Sequence, residues 1–151
     1  DDAHVLALAG RTVRVLYFGH SSGPGDIAVF DEPSGTLFAG GLLDARRVPD
    51  IQDSDLPGWR HALQALRALP IRTIVPGHGP ASPPSLIGEV EDYLAQLEAR
   101  VRALVARGVS LLDAADAAEL PRFADWDQYD IVHRRNVSVA YLRFERELLF
   151  K

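Results

Sequence analysis

A change from strand-like to helix-like spacing halfway along the chain constrains its fold more than any other sequence feature. In the first half, short β-branched and apolar runs such as residues 13–18, 27–30 and 36–39 alternate with glycine- and proline-bearing turns. In the second half, apolar residues recur every three or four positions until Gly108, and again from about Asp130. The sequence therefore predicts a sheet followed by helices that pack on it.

One helix is expected inside the strand-rich half. Asp55 is placed to cap a helix whose apolar positions keep helical spacing until Pro70 ends it, and the β-branched run 71–75 then predicts another strand. We expect three helices after this strand: one from Pro83 to Gly108, a short one capped by Ser110 with Asp113, and a last one from about Asp130. The prediction is an α/β fold in which a mixed sheet is followed by three helices, as a single domain over residues 1–151.

Composition narrows the class of protein and of partner. With 47% hydrophobic and 25% charged residues, the 151-residue chain reads as an ordinary globular domain. A net charge of −5 argues against nucleic acid and against an anionic membrane surface as partners. The absence of cysteine excludes disulfides and thiolate metal ligands.

The start of the chain leads us to expect residues upstream of it. The first residues are Asp1 and Asp2, and an initiator methionine is not usually removed in front of aspartate. No apolar run approaches the roughly 20 residues of a membrane-spanning helix, and no signal peptide is recognisable at the start. The chain is therefore interpreted as a cleaved product or as part of a longer polypeptide.

Two histidines stand in glycine-bearing loops, each directly after a strand-like run. His20 follows residues 12–18, and His78 follows residues 73–75. An imidazole at the carboxyl end of a buried strand is held by a rigid scaffold while its loop leaves it reachable, which suits a metal ligand. The alternative is that both are solvent-facing turn histidines, because glycine and proline make any such loop a turn. The remaining histidines are interpreted as surface or structural residues: His4, His61 and His133, the last expected to pair with Asp127 or Asp130.

Three short motifs, in order along the chain, resemble the C-terminal half of the metallo-β-lactamase fold. Within that superfamily, the chain is most similar to zinc metallohydrolases associated with quinoprotein oxidation systems, a resemblance that implies a periplasmic setting. The segment 133–141 also resembles the last helix of the superfamily's hydrolases. The motifs are Gly19-His20 followed by Pro24-Gly25-Asp26-Ile27, then Leu37-Phe38-Ala39-Gly40-Gly41, then Val75-Pro76-Gly77-His78-Gly79-Pro80.

The resemblance implies one metal-site role for each matching position. His20 matches the histidine that completes the first zinc site, and His78 matches the histidine that serves the second. The aspartate that bridges the two ions in the family is replaced here by Gly41, which has no side chain. Asp44 is a candidate substitute ligand, while Asp26 is expected to support a ligand or the turn. We therefore expect one zinc ion, or two held unequally.

The family's His-x-His-x-Asp-His motif belongs to the N-terminal half and has no counterpart in this sequence. A catalytic zinc usually takes three protein ligands, so His20 and His78 alone would hold metal poorly. Three explanations stay open: an N-terminal half that precedes this chain, a separate chain that supplies it, or a metal-free descendant. A lone half would expose a sheet face, so we expect association with the missing half or self-association through that face.

Two functions follow from this interpretation. The first is a zinc-dependent hydrolase, or a fragment of one, that acts through a metal-activated water. The second is a non-catalytic accessory or binding protein that retains the fold with a degenerate metal site, as Gly41 and the absent motif suggest. The resemblance implies a small-molecule substrate but does not identify it, because relatives with this fold act on esters, thioesters, lactams, phosphoesters and sulfur compounds.

Overall fold

The computed structural model describes residues 2–150, and its centre is a single five-stranded sheet. The strands lie in chain order across the sheet, each antiparallel to its predecessor except the last, which is parallel to its neighbour. The strands are β1 (Asp2–Leu8), β2 (Arg11–Tyr17), β3 (Ile27–Asp31), β4 (Thr36–Gly40) and β5 (Thr73–Pro76).

Helices cover one face of this sheet. Between β4 and β5 lies α1 (Leu56–Arg67), and the chain continues after β5 with α2 (Leu86–Ala106), α3 (Leu111–Ala117) and α4 (Arg134–Leu149). The predicted mixed sheet followed by three helices is therefore confirmed. The described helices are all too short or too polar to cross a membrane.

Local sequence signals explain several element boundaries. The β1–β2 turn consists of Ala9 and Gly10, whose φ angles of 50° and 80° match the type of two-residue turn that suits the twist of a hairpin. The sequence pattern predicts this turn one residue later. Asp55 caps α1 as predicted, because its carboxylate accepts the backbone N–H of Gly58 at 2.8 Å. Ser110 caps α3 by accepting the N–H of Asp113 at 3.2 Å.

Alternate strand residues face the helices and form the core. Leu16, Phe30, Leu37 and Ile74 are almost completely buried on this covered face. The opposite face carries an apolar set that none of the described helices covers, with Ile27 48% and Phe38 47% exposed. We call this set the open sheet face; its members are Val13, Val15, Tyr17, Ile27, Val29, Phe38 and Val75.

The sheet topology brings three strand ends to one edge. Two antiparallel steps lead from β2 to β4, so these strands run in the same direction, and β5 is parallel to β4. Their carboxyl ends therefore meet at the same edge of the sheet. His20, Gly41 and His78 each follow one of these ends in the sequence. The fold thus collects the loops that the sequence singled out.

His133 is structural, as predicted, but the predicted partners were wrong. Its Nε2 donates to the carbonyl of Ala118 at 3.0 Å, and its Nδ1 accepts from the hydroxyl of Tyr93 at 3.0 Å. It does not use Asp127 or Asp130, because both aspartates are exposed at the surface, whereas the ring of His133 is buried in the core at the end of a π-helical turn over Tyr129–His133. Burial lowers the pKa of His133 and raises the pKa of Tyr93 far above its usual range, so burial favours the neutral form of both side chains.

Candidate functional site

The two histidine loops lie on either side of the loop that follows β4. A Cβ built on Gly77 would be 2.5 Å from the carbonyl oxygen of Gly40, so the His78 loop touches the end of β4. On the other side, a Cβ on Gly41 would be 3.1 Å from the carboxylate of Asp26, so the His20 loop touches the same segment. Glycine at these positions permits the close approach of the three loops.

His78 is held by a short stretch of chain after β4. The backbone N–H of Ala45 donates to the carbonyl of His78 at 2.8 Å, and that of Gly77 donates to Leu43 at 2.9 Å. The ring of His78 then meets the carboxylate of Asp44, with 2.9 Å between Nδ1 and Oδ1. Two main-chain bonds and one side-chain bond therefore fix the position and the orientation of this imidazole.

The pairing with Asp44 determines which ring nitrogen of His78 is free. A carboxylate only accepts hydrogen bonds, so the proton of the neutral ring is on Nδ1 and the lone pair is on Nε2. The side chain of Asp44 is only 11% exposed, whereas that of His78 is 61% exposed. A ligand histidine in a metal site typically donates its second N–H to such a carboxylate. The hydrogen bond from His78 to Asp44 is therefore of the kind that orients a metal ligand. In this structure the carboxylate of Asp44 holds the ring of His78.

His20 is held from the opposite direction, by residues that precede α1. Its Nε2 donates to the carbonyl of Asp53 at 2.6 Å, because a carbonyl can only accept. The backbone N–H of Asp55 also donates to the carbonyl of Ser21 at 2.9 Å. Because the Nε2 of His20 carries the proton that Asp53 accepts, the lone pair of the neutral ring is on Nδ1. An open cavity of about 380 Å³ adjoins the ring, lined by His20, Pro24, Gln52, Asp53, Ser54 and Arg143.

Asp26 fills the space beside Gly41. Its carboxylate accepts a hydrogen bond from the hydroxyl of Ser22 in the same loop and faces the position where a side chain at residue 41 would begin. The contact closes the turn between β2 and β3. Asp26 is therefore placed to support the turn, and any role toward a metal stays a prediction.

The described chain does not complete a metal site by itself. Within residues 2–150, no group of three or more histidine, cysteine or acidic side chains is close enough together to hold an ion. The structure brings His78 together with Asp44, and Asp26 next to Gly41, but within residues 2–150 neither histidine belongs to a group of three such side chains. Histidine and carboxylate are suitable metal ligands, but the described residues provide fewer of them together than the three that a catalytic zinc site usually has.

The segment that holds both histidines carries no recognisable sequence pattern. Residues 42–55, which we call the β4–α1 segment, form no helix and no strand, yet most of their apolar side chains are completely buried. Their apolar spacing has no period of 2 or 3.6, so the pattern predicts only a loop here. Asn136 and Arg143 of α4 bind this segment and were also missed, since their partners lie far away in the chain.

The consecutive arginines at positions 46–47 and 134–135 are all engaged in ion pairs. Each is matched with an aspartate at the surface, and exposed pairs of this kind contribute little to stability. The pairs are Arg46 with Asp125 at 2.7 Å, Arg47 with Asp127 at 2.7 Å, Arg134 with Asp116 at 2.6 Å and Arg135 with Asp50 at 2.5 Å.

Comparison with known proteins supports the resemblance seen in the motifs. Residues 1–78 match the family described as the metallo-beta-lactamase superfamily. A metallo-beta-lactamase from Pontibacter korlensis is 26% identical, with a TM-score of 0.57 over 62% of this chain and 46% of that protein. A metallo-beta-lactamase family protein from Thermus thermophilus is 24% identical, with a TM-score of 0.65 over 98% of this chain and 48% of that protein. No curated protein matches the chain.

These comparisons confirm the fold and show how much of each relative the chain represents. Nearly all of this chain is matched in the Thermus protein, so the fold prediction is confirmed over almost its whole length. The chain nevertheless spans only about half the length of the solved structures that it resembles, 46% and 48%. Neither structure is described as part of a quinoprotein system, so that association stays a prediction.

Proposed function

The chain belongs to the metallo-beta-lactamase superfamily, and on that premise we propose that it is the C-terminal half of a zinc-dependent hydrolase. It contributes His78 and His20 as ligands to a centre whose other ligands come from the half of the fold not contained in residues 1–151. The substrate is a small molecule with a bond that hydroxide can cleave. A bound zinc ion would supply a water whose pKa is lowered far enough to give hydroxide near neutral pH.

The pair formed by His78 and Asp44 carries this proposal. A nearly buried carboxylate fixes the ring at 2.9 Å while the ring itself stays largely exposed. Holding an exposed ring in one orientation costs side-chain entropy, and a metal ligand benefits from that orientation. The chain's own residues therefore orient one ligand before any ion is present.

We infer that the centre is asymmetric. Gly41 offers no carboxylate, and Asp44, the candidate substitute, is committed to His78 at 2.9 Å. Asp26 lies next to Gly41, but its carboxylate is engaged by Ser22. The ion near His78 therefore loses its bridging ligand, and we expect it to bind more weakly than an ion near His20.

Zinc content of the natural protein that contains this chain tests the proposal. We expect at least one equivalent of zinc in the unaltered protein. His20→Ala should hold less than about half an equivalent, because a catalytic zinc rarely has ligands to spare, whereas His78→Ala should lose only the more weakly bound ion. Asp44→Asn keeps the size of the side chain but removes its charge, and outer partners of this kind typically contribute about 10- to 100-fold in affinity. Equilibrium zinc titration and metal analysis measure these losses. His61→Ala, at an exposed position on α1, is the control that should bind zinc normally.

The second candidate function is an accessory or binding protein without catalysis. Gly41 in place of a ligand and the missing third donor within residues 2–150 favour it. The same titration decides between the two. Less than about half an equivalent of zinc in the unaltered protein, with no change in His20→Ala or His78→Ala, would favour the accessory function.

We also propose that the open sheet face is covered by the other half of the fold. Phe38 and Ile27 are about half exposed on it, and an apolar sheet face of this kind is unusual on a monomer. The chain matches 46% and 48% of the two solved structures compared above. In those structures a second half of similar size remains, and its counterpart would cover this face. In the isolated 151-residue chain, we expect the exposed face to associate with itself.

Gel filtration with light scattering on the isolated chain tests this association. We expect a dimer or larger species, and we expect Phe38→Glu to weaken association at least tenfold by placing a charge within the apolar face. Leu112→Glu serves as the control, because Leu112 is 88% exposed on α3, away from the sheet face. A stable monomer at all concentrations would contradict the proposal.

A further inference from the structure

The β4–α1 segment holds one candidate ligand at each end. At its start, Leu43 and Ala45 form backbone hydrogen bonds with the His78 loop. Near its end, the carbonyl of Asp53 accepts from the ring of His20 at 2.6 Å. The distance and angle between the two imidazoles therefore depend on the shape of this one segment.

Arg143 of α4 fixes the end of the segment that holds His20. Its Nη2 donates to the carbonyl of Ile51 at 3.0 Å and to that of Gln52 at 2.8 Å, and its Nη1 lies 3.4 Å from the hydroxyl of Ser54. The carbonyl that binds His20 belongs to Asp53, directly between these partners. A guanidinium offers several donors in one rigid plane, so it can hold consecutive carbonyls in a fixed arrangement.

The same bonds argue against an anion-binding role for Arg143. Both N–H groups of Nη2 are directed at main-chain carbonyls, at 3.0 and 2.8 Å, and so are not available to a substrate carboxylate. The cavity beside His20 also contains Asp53, whose negative charge opposes an anion. Arg143 therefore acts on the site through the backbone.

We propose that Arg143 is a positioning residue for His20. It holds residues 51–54 so that the carbonyl of Asp53 fixes the ring and leaves Nδ1 directed away from that bond. The inference rests on the proposed function for its biological meaning, since an oriented His20 matters to a metal centre. Its physical content, the coupling of Arg143 to the ring of His20, concerns the metal-free chain alone.

NMR of the natural protein that contains this chain, prepared free of metal, tests this coupling. In Arg143→Gln, we expect the Nε2–H signal of His20 to be lost through faster exchange with water, and the amide of Asp55 to exchange roughly tenfold faster or more. The signals of the His78 ring and of the Gly77 amide should not move, because their partners are at the other end of the segment. Arg143→Lys keeps the charge and one donor group, so we expect partial restoration of the His20 signal.

Arg146→Gln is the matched control, one turn further along α4 on its exposed side. It should leave both histidine signals unchanged. If the Nε2–H signal and the Asp55 exchange rate in both Arg143 variants equal those of the unaltered chain, the proposal is overturned; equal changes at His20 and His78 overturn it as well, since they indicate general loosening. Because no metal is added, this result is independent of the zinc titration that tests the proposed function.

Discussion

Substitution of Gly58 by alanine is expected to destabilise the protein by roughly 2–4 kcal/mol, although alanine is the better helix former. Gly58 is the third residue of α1, and the carbonyl oxygen of His20 lies well inside 3.0 Å of the position that a Cβ would take. The capping carboxylate of Asp55 would be only 2.7 Å from the same Cβ. The methyl group would therefore displace the His20 loop and weaken the cap, effects that outweigh the gain of about 1 kcal/mol in helix propensity.

Gly88→Ala provides a matched control for this prediction. Gly88 is also the third residue of its helix, α2, but a Cβ there would meet only the end of the flexible Arg67 side chain, at 3.3 Å. We expect Gly88→Ala to be neutral or to stabilise by up to about 1 kcal/mol. Urea unfolding of both variants measures the free energies. Equal stabilisation by both substitutions would show that the His20 loop does not rest on α1.

Replacement of Asn136 by alanine is expected to cost about 3–5 kcal/mol, a large share of the stability of a typical domain. Asn136 is completely buried, and its amide donates to the carbonyl of Pro49 at 2.7 Å and to the hydroxyl of Tyr93 at 3.0 Å. Its carbonyl accepts the N–H of Ile51 at 3.1 Å. The substitution strands two backbone groups of the β4–α1 segment in the core, and each stranded group costs roughly 1–3 kcal/mol.

Ser138→Ala is the control for this loss, because Ser138 is on the same helix and bonds only within it, to the carbonyl of Arg134 at 3.2 Å. We expect a change within about 0.5 kcal/mol for this substitution. Chemical denaturation followed by tryptophan fluorescence suits the comparison, since Trp59 and Trp126 are both buried. A loss below about 1 kcal/mol in Asn136→Ala would mean that water replaces the amide and that the segment is not fixed by α4.

The elements that the sequence predicted correctly are those with local causes. The cap of Asp55 on α1 and the cap of Ser110 on α3 involve residues three positions apart, so their chemistry is visible in the sequence. The apolar spacing of α2 and the strand-like runs are equally local. By contrast, the partners of His133 were predicted among nearby aspartates and were wrong, because burial in the core selected Tyr93 and Ala118.

The candidate site also has some features that are visible in the local sequence and others that only tertiary packing determines. From the sequence alone came the glycine at position 41 and the two histidines, each in a loop directly after a strand-like run, since strand-like runs and turn residues are local patterns. The strand order, which brings the loops after β2, β4 and β5 to one edge of the sheet, is a tertiary property. The tertiary structure decided that Asp44 supports His78 and that the carbonyl of Asp53 holds His20, contacts between residues 34 and 33 positions apart. It also decided that Asn136 and Arg143 fix the β4–α1 segment, although both lie more than 80 positions from Ile51, their shared partner in it. Such pairings depend on how the helices pack on the sheet, and no periodicity in the chain records them.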